Sequence, residues 1–366
     1  MLNEMTIKCV LLQQYELYPK MQIQDMVKLI YQNEFAGRHL IVSEISSLKR
    51  LQEEYRFLRR QHSSCSGADA AYEKIGNGLC RLHLEALKGA EISLKTVNRF
   101  FISTANSIRG SMQSFEEKLD VLRQCCKDRD LLFPLDELEA YLYDYKNQGY
   151  PQVRHSENYR AAYSPAYRIV RLEYCEYFEI FCRIDALLKS KKCVNVAIDG
   201  NCGAGKSTLA LLINNIYDCN IFHMDDFFLR PELKTEERLK EVGGNVDYVR
   251  FQQEIITGMQ SGCEFQYRTY DCRQMNWGKT ITVVPKRLNI IEGAYSMHST
   301  LIESYDLKIF LHINEKEQSM RILKREGADM QKRFLREWIP MENRYFKDKK
   351  IQEQSDLIFR CGASKA

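Results

Sequence analysis

Thirteen residues constrain this chain more than any others: "IDGNCGAGKSTLA", Ile198 to Ala210. They hold three glycines, one lysine and two hydroxyl side chains, directly after the apolar run Val194, Val196, Ala197 and Ile198. That run reads as a buried strand, and the residues from Lys206 read as a helix. Gly200, four residues, then Gly205, Lys206 and Ser207 complete the Walker A pattern in the strand–loop–helix context that its mechanism needs. Glycines let backbone N–H groups turn inward and come close to phosphate oxygens. The helix start adds the positive end of its dipole. The pattern predicts that Gly200, Asn201, Cys202, Gly203, Ala204, Gly205, Lys206, Ser207 and Thr208 cradle a nucleoside triphosphate. Lys206 would reach the β- and γ-phosphates and Ser207 would ligate Mg²⁺.

The rhythm on either side of Cys193 differs. After it, apolar runs alternate with helical patterns: "VNVAI", a helix from Lys206, "NIFHM", a helix from Asp247, "ITVV", "LNII", "LKIFLHI", a helix from Asn314, and "DLIF". Alternating β and α predicts an α/β domain, a parallel sheet covered by helices on both faces. Before it the chain reads as mainly helical. Ile45, Leu48, Leu51, Tyr55 and Leu58 recur at three and four. Ser114 with Glu117 reads as a capping box. Pro134 opens a helix that Gly149 closes. Tyr167, Val170, Tyr174, Tyr177, Phe181, Ile184 and Leu188 trace one long helix. "LCRLHLEA" is the exception: Cys80, Leu82 and Leu84 alternate with Arg81, His83 and Glu85, a short half-buried strand. The domains expected are therefore 1–190, mainly helical, and 191–366, nucleotide-binding, joined in the basic segment Lys189 to Lys192.

Composition narrows the function classes. A length of 366 residues suits two domains, and a net charge of +4 argues for no polyanion partner, so nucleic acid is not expected. The thirteen cysteines show no C-x-x-C pair and no zinc spacing, which reads as reduced thiols in a cytoplasmic protein. No apolar stretch approaches the ~20 residues that span a bilayer. The N-terminus carries Glu4 early and lacks a cleavage pattern, so no signal peptide is expected. A homo-oligomer is left open.

Triphosphate binding does not say where the γ-phosphate goes. A GTPase needs a base-reading N-K-x-D, and "NEKE" at Asn314 lacks the aspartate. Motor-type ATPases pair two carboxylates at a strand end, whereas "LNIIEGAY" ends in Glu292 alone. Small-molecule kinases fit better, since they need a base beside an acceptor hydroxyl, a metal-side carboxylate and a cationic lid. Asp225 and Asp226 in "IFHMDDFFLRP" fall at the carboxyl end of a strand, where α/β sites gather, and one can take the hydroxyl proton. The alternative is that they only end a strand. "EVGGNVDYVR" offers Asn245 and Asp247 as hydrogen-bonding groups, and Asp247 serves equally as a helix N-cap. Arg321 and Arg325 lie one helical turn apart, a clamp for transferring phosphate or a solvated basic face.

These residues resemble the uridine kinase and phosphoribulokinase branch of P-loop kinases, over roughly Val194 to Phe359. "GNCGAGKST" matches that family's phosphate loop. "HMDDFF" resembles its aspartate segment, which implies Asp225 as general base, with Asp226 beside the substrate. "GGNVD" resembles its sugar-contacting loop and implies that Asn245 and Asp247 hold substrate hydroxyls. The order "YDC", "TITVVP", "IIEGAY" implies Tyr270 in the acceptor pocket and Glu292 as a metal-side or acceptor-side carboxylate. "MRILKR" resembles the lid, with Arg321 and Arg325. The resemblance implies ATP and Mg²⁺ as cofactors and a small hydroxylated acceptor, a nucleoside first. Two features depart from it. The histidine that follows the Tyr-Asp pair in uridine kinases is missing, with Met275 nearest its place, and "REGADMQKR" stands where an Arg-Gly-Arg lid would be. The helical half has no counterpart in that family's core.

One segment of that half is unusual. In "GYPQVRHSENYRAAYSPAYRIVR", Arg154, His155, Arg160 and Arg168 interleave with Tyr150, Tyr159, Tyr163 and Tyr167. It reads as an interdomain or subunit contact, or as a wall of the acceptor pocket. The reading from a different class is a nucleotide-dependent switch or regulatory ATPase, in which the helical half binds a partner.

Overall fold

A computed structural model describes residues 6–37, 41–60, 71–272 and 274–362. The first five residues, on which the signal-peptide reading partly rests, lie outside these, as does Arg273. The chain forms two compact units, Met1–Cys182 and Arg183–Ala366, and the division falls within the helix Phe178–Ser190.

The first unit is mainly helical and carries one three-stranded antiparallel sheet. Strands β1 (Tyr72–Gly76) and β2 (Leu79–His83) form a hairpin. Its two turn residues, Asn77 and Gly78, both have positive φ, the geometry that matches the right-handed twist of paired strands. Strand β3 (Tyr167–Arg171) pairs with the free side of β2, Cys80 opposite Val170. This corrects two expectations. The stretch from Tyr167 is not one long helix but β3, then helices Leu172–Glu176 and Phe178–Ser190. Strand β2 offers "YRIVR" a partner, and β-branched and aromatic side chains suit it. Nor is β2 half exposed, since Arg81 is completely buried. What packs on the sheet decides this: Gln14 and Gln32 from two helices meet the Arg81 guanidinium on that face.

The helices around that sheet follow their caps. Ile23–Phe35 starts with Gln22, whose backbone N–H donates to Asp25 at 3.0 Å. The helix Met112–Lys127 is capped by Ser111 rather than Ser114, and Ser114 instead donates to Glu34 at 2.8 Å. Val10, Leu11, Met26, Ile30, Phe115, Leu119 and Leu122 form the core. Of the predicted stripe on Glu44–Arg60, only Leu51 is buried, and Ile45 is exposed.

The second unit is an α/β fold built on a five-stranded parallel sheet with helices on both faces. Its strands are β4 (Val194–Gly200), β5 (Cys219–His223), β8 (Leu288–Glu292), β9 (Leu307–Ile313) and β10 (Leu357–Cys361), in the order β10-β9-β4-β8-β5. Between β5 and β8, β6 (Phe265–Asp271) and β7 (Asn276–Val283) form a separate antiparallel hairpin. "ITVV" therefore belongs to this hairpin, not to the parallel sheet. Its exposure alternates as on a two-stranded ribbon, whereas β8 is buried throughout. The carboxyl ends of β4, β5 and β8 lie side by side, and this sets the site.

Candidate active site

The loop after β4 is shaped by two glycines. A Cβ on Gly200 would lie 2.1 Å from the Leu311 carbonyl oxygen, so β4 approaches β9 too closely there for any side chain. Gly205 caps the helix Lys206–Asn214 with a φ of 102°, a conformation that other residues resist. The first N–H groups of that helix have no carbonyl one turn back to bind, and they face the loop.

The backing of the loop comes from distant residues. Buried Asp199 accepts from Gly200 N–H at 2.7 Å, Met297 N–H at 3.0 Å and the Tyr345 hydroxyl at 2.9 Å. Glu342 accepts from Cys202 N–H at 2.9 Å, and Gln318 donates to the Cys202 carbonyl at 3.0 Å. Asn201 accepts from Ile313 N–H at 3.3 Å. Burial raises the carboxyls of Asp199 and Glu342, and it pushes the Cys202 thiol up to about 12, which makes it inert. Lys206 Nζ donates to the carbonyls of Gly200 at 2.8 Å and Asn201 at 3.1 Å, which holds the ammonium across the loop. Thr208 is exposed on the helix, while Gly203 and Ala204 complete the turn, Ala204 N–H donating to Asn201.

Three carboxylates and a histidine face this loop from the neighbouring strand ends. Ser207 Oγ donates to Glu292 Oε1 at 2.9 Å, and His223 Nδ1 lies 2.6 Å from the same oxygen. That hydrogen bond, working against burial, raises the His223 pKa. Asp225 and Asp226 occupy the single turn Met224–Phe227 after β5. Asp225 is open to solvent, yet protein mass around its carboxyl raises its pKa; Lys206 opposes the shift and Glu292 adds to it. Burial also raises Asp226. Arg321 donates to the Gly203 carbonyl at 3.3 Å and is steadied by Glu317 at 3.0 Å. Arg325 is more exposed and bonds Glu326, and its charge acts on Asp225.

A second group lies beyond Asp226. Arg250 is buried: its guanidinium donates to the carbonyls of Asp226 at 2.6 Å and Arg268 at 2.5 Å and stands 4.1 Å from the centre of the Phe227 ring. Asp247 caps the helix starting at Tyr248, accepting from Arg250 N–H at 3.1 Å, so the capping alternative is what the geometry displays. Trp277 is flanked by Arg230, Arg250 and Arg268 at 5.1, 5.3 and 4.9 Å and meets Tyr270 edge-on. The Tyr270 hydroxyl and Asn245 Oδ1 are buried polar atoms without a hydrogen-bond partner among the described residues. Met275 sits at the hairpin tip and is 69% exposed.

The structure thus gathers Lys206, Ser207, Asp225, Asp226, Glu292, Arg321 and Arg325 about one loop and puts Asn245, Asp247 and Tyr270 in the adjoining group. Sequence reasoning missed His223, Asp199, Glu342, Arg250 and Trp277. His223 precedes the aspartates by two residues and Arg250 follows Asp247 by three, so spacing could have flagged both. Nothing local marks Glu342.

No protein-family model matches the chain, and no curated protein matches it. Solved structures do. A possible uridine kinase from Bacillus stearothermophilus is 19% identical over 50% of this chain and 99% of that one, with a TM-score of 0.37. A candidate fructose transport system kinase from Silicibacter sp. TM1040 is 21% identical over 47% of this chain and 91% of its own, with a TM-score of 0.36. Shikimate kinase from Acinetobacter baumannii, solved with shikimate, is 15% identical over 48% of this chain and 88% of its own, with a TM-score of 0.28. Each likeness covers about half of this chain.

Proposed function

We propose that the second unit, taken as beginning near residue 191, is an ATP- and Mg²⁺-dependent kinase that transfers the γ-phosphate to a hydroxyl of a small molecule, with a nucleoside as the acceptor class placed first. One observation carries this: the Lys206 and Glu292 charges both act on the Asp225 carboxyl, and Ser207 is bonded to Glu292. A phosphate loop, a metal-side carboxylate and a candidate base therefore share one site. The donors fit the metal, since a serine hydroxyl beside a carboxylate is the hard-oxygen pair that Mg²⁺ takes together with phosphate oxygens. Bound there, the ion would offset charge on the β- and γ-phosphates.

The chain's own residues do the remaining work. Lys206 leaves the loop carbonyls for the phosphoryl oxygens. The Asp225 carboxylate accepts the proton of the attacking hydroxyl, and its raised pKa makes it a stronger base than an ordinary aspartate. Arg321, fixed against Gly203, and Arg325, near Asp225, bracket the transferring group. Asn245 Oδ1 and the Tyr270 hydroxyl are buried groups without a partner among the described residues, and acceptor hydroxyls would satisfy them. Trp277, set among Arg230, Arg250 and Arg268, adds an aromatic and cationic wall beside Tyr270. Asp226 and Asp247 support this wall, Asp226 through its backbone and Asp247 through Arg250.

The test is ATP consumption by the purified chain across nucleosides, pantothenate, glycerate and phosphosugars. Sustained ADP release that depends on one added compound supports the kinase. Slow hydrolysis indifferent to every acceptor overturns it in favour of a nucleotide-dependent switch.

A further inference from the structure

The kinase reading gives no role to His223, the last residue of β5. In the parallel pairing of β5 with β8 it stands opposite Glu292, the last residue of β8. Its Nδ1 lies 2.6 Å from Glu292 Oε1, and Ser207 Oγ donates to that same oxygen at 2.9 Å. Two donors therefore meet on one oxygen, one from the neighbouring strand and one from the helix after the phosphate loop. The other oxygen, Oε2, accepts no hydrogen bond among the described residues and stays open.

A carboxylate only accepts, so the proton in the short contact sits on Nδ1 whether the ring is neutral or charged. The Ser207 hydroxyl spends its one proton on Oε1, which leaves its lone pairs for a cation. Glu292 thus sets how the Ser207 oxygen is turned, and His223 holds Glu292. This is not an ordinary surface bridge, whose two charges are both in water. The Glu292 side chain is 6% exposed, against 46% for His223. A buried acceptor that loses a donor bears a desolvation cost that an exposed one avoids. Like charge on Asp225 also opposes Glu292. Without the ring, the Ser207 proton would be the one hydrogen bond left to fix that carboxylate.

We propose that His223 is a positioning residue: through Oε1 of Glu292 it fixes the Ser207 hydroxyl as a ligand for Mg²⁺ bound with the phosphates of the nucleotide. Groups that orient metal ligands from behind typically change metal affinity or activity by about 10–100-fold when removed. The proposal rests on the kinase reading for the place of the metal and is indifferent to the acceptor.

The experiment measures the Kd of a fluorescent, non-hydrolysable ATP analogue for the full chain, in Mg²⁺ and in EDTA, at one pH. It needs neither acceptor nor turnover. In the parent, Mg²⁺ should tighten binding. In His223→Ala that gain should shrink about tenfold, with the Kd in EDTA within about twofold of the parent. His223→Asn keeps an N–H at the position of Nδ1 and should recover most of the gain. The ring is nearly half exposed, so the alanine chain should fold; if it does not, His223→Leu, which has the shape of asparagine without its donor, takes its place. With an acceptor in hand, kcat should fall while the acceptor KM holds. An unchanged Mg²⁺ gain in the alanine chain would overturn the proposal. So would an asparagine chain no better than alanine, or a Kd that rises equally in EDTA, which would make the ring a support of the loop alone. A parent indifferent to Mg²⁺ would overturn the placement of the metal and the proposal together. Hydrolysis indifferent to every acceptor, with the Mg²⁺ gain lost in alanine and recovered in asparagine, would sink the kinase reading and sustain this one.

Discussion

Glu342→Ala should uncouple the phosphate loop from its support. Glu342 lies on the helix Ile339–Asp348, is 6% exposed and accepts from Cys202 N–H at 2.9 Å. Removing the carboxylate strands a buried donor, which costs about 1–3 kcal/mol. The one lost stem methylene adds about 0.8 kcal/mol. Burial of the carboxyl already disfavours its charge and returns part of this, so the net loss should be about 1–3 kcal/mol. With a urea slope of about 2 kcal/mol per M, the midpoint should fall by about 0.5–1.5 M. Both tryptophans, Trp277 and Trp338, lie in the second unit, so their fluorescence follows that unit. Nucleotide Kd should rise about tenfold, equivalent to about 1.4 kcal/mol, because Cys202 and its neighbours lose their fixed position. Glu342→Gln keeps the acceptor oxygen and should stay within about 1 kcal/mol of the parent. It should also change the pH slope. A carboxyl raised in the folded state costs stability as pH climbs from the usual carboxyl range through the raised value, and glutamine abolishes that loss. A Glu342→Ala chain with the parent's urea midpoint and nucleotide Kd would refute the reasoning.

Lys206→Ala should leave the chain folded and nearly inactive, because the ammonium held across the loop is the charge placed to meet the phosphoryl oxygens; near-normal turnover in a monodisperse preparation would count against the phosphate-loop assignment. Asp225→Asn should lower kcat by ~10²-fold or more with nucleotide affinity little changed, and Asp226→Asn should do less. A reversed order in steady-state kinetics would move the base by one residue. His223→Gln should alter the dependence of stability on pH. Glu292 raises His223, so the pair's contribution is complete below the ordinary histidine range and is lost as pH rises through the raised value. Urea midpoints from about pH 6 to about pH 9 should therefore fall in the parent relative to the variant, and parallel curves would contradict the pairing.

What the amino-acid order determined by itself is local. Gly200 to Ser207 is contiguous, its glycines answer to backbone geometry alone, and the apolar runs of β4, β5, β8, β9 and β10 need only burial to become strands. The single carboxylate at the end of β8 and the pair after β5 could be placed at one sheet edge because strand direction follows from the β–α alternation. The tertiary structure decided everything that depends on a partner far along the chain. Glu342 stands 140 residues from Cys202, and Tyr345 stands 146 from Asp199. No periodicity encodes such pairs, because each is one buried hydrogen bond that only the packed helix brings into reach. The same holds for β3, whose helical rhythm yielded to the open side of β2. It holds for Arg81 too: alternation placed it on a face, but only the two helices carrying Gln14 and Gln32 made that face an interior one. Side-chain pattern sets which way a residue points along its own element, and whether water or protein lies there is settled by what packs against it.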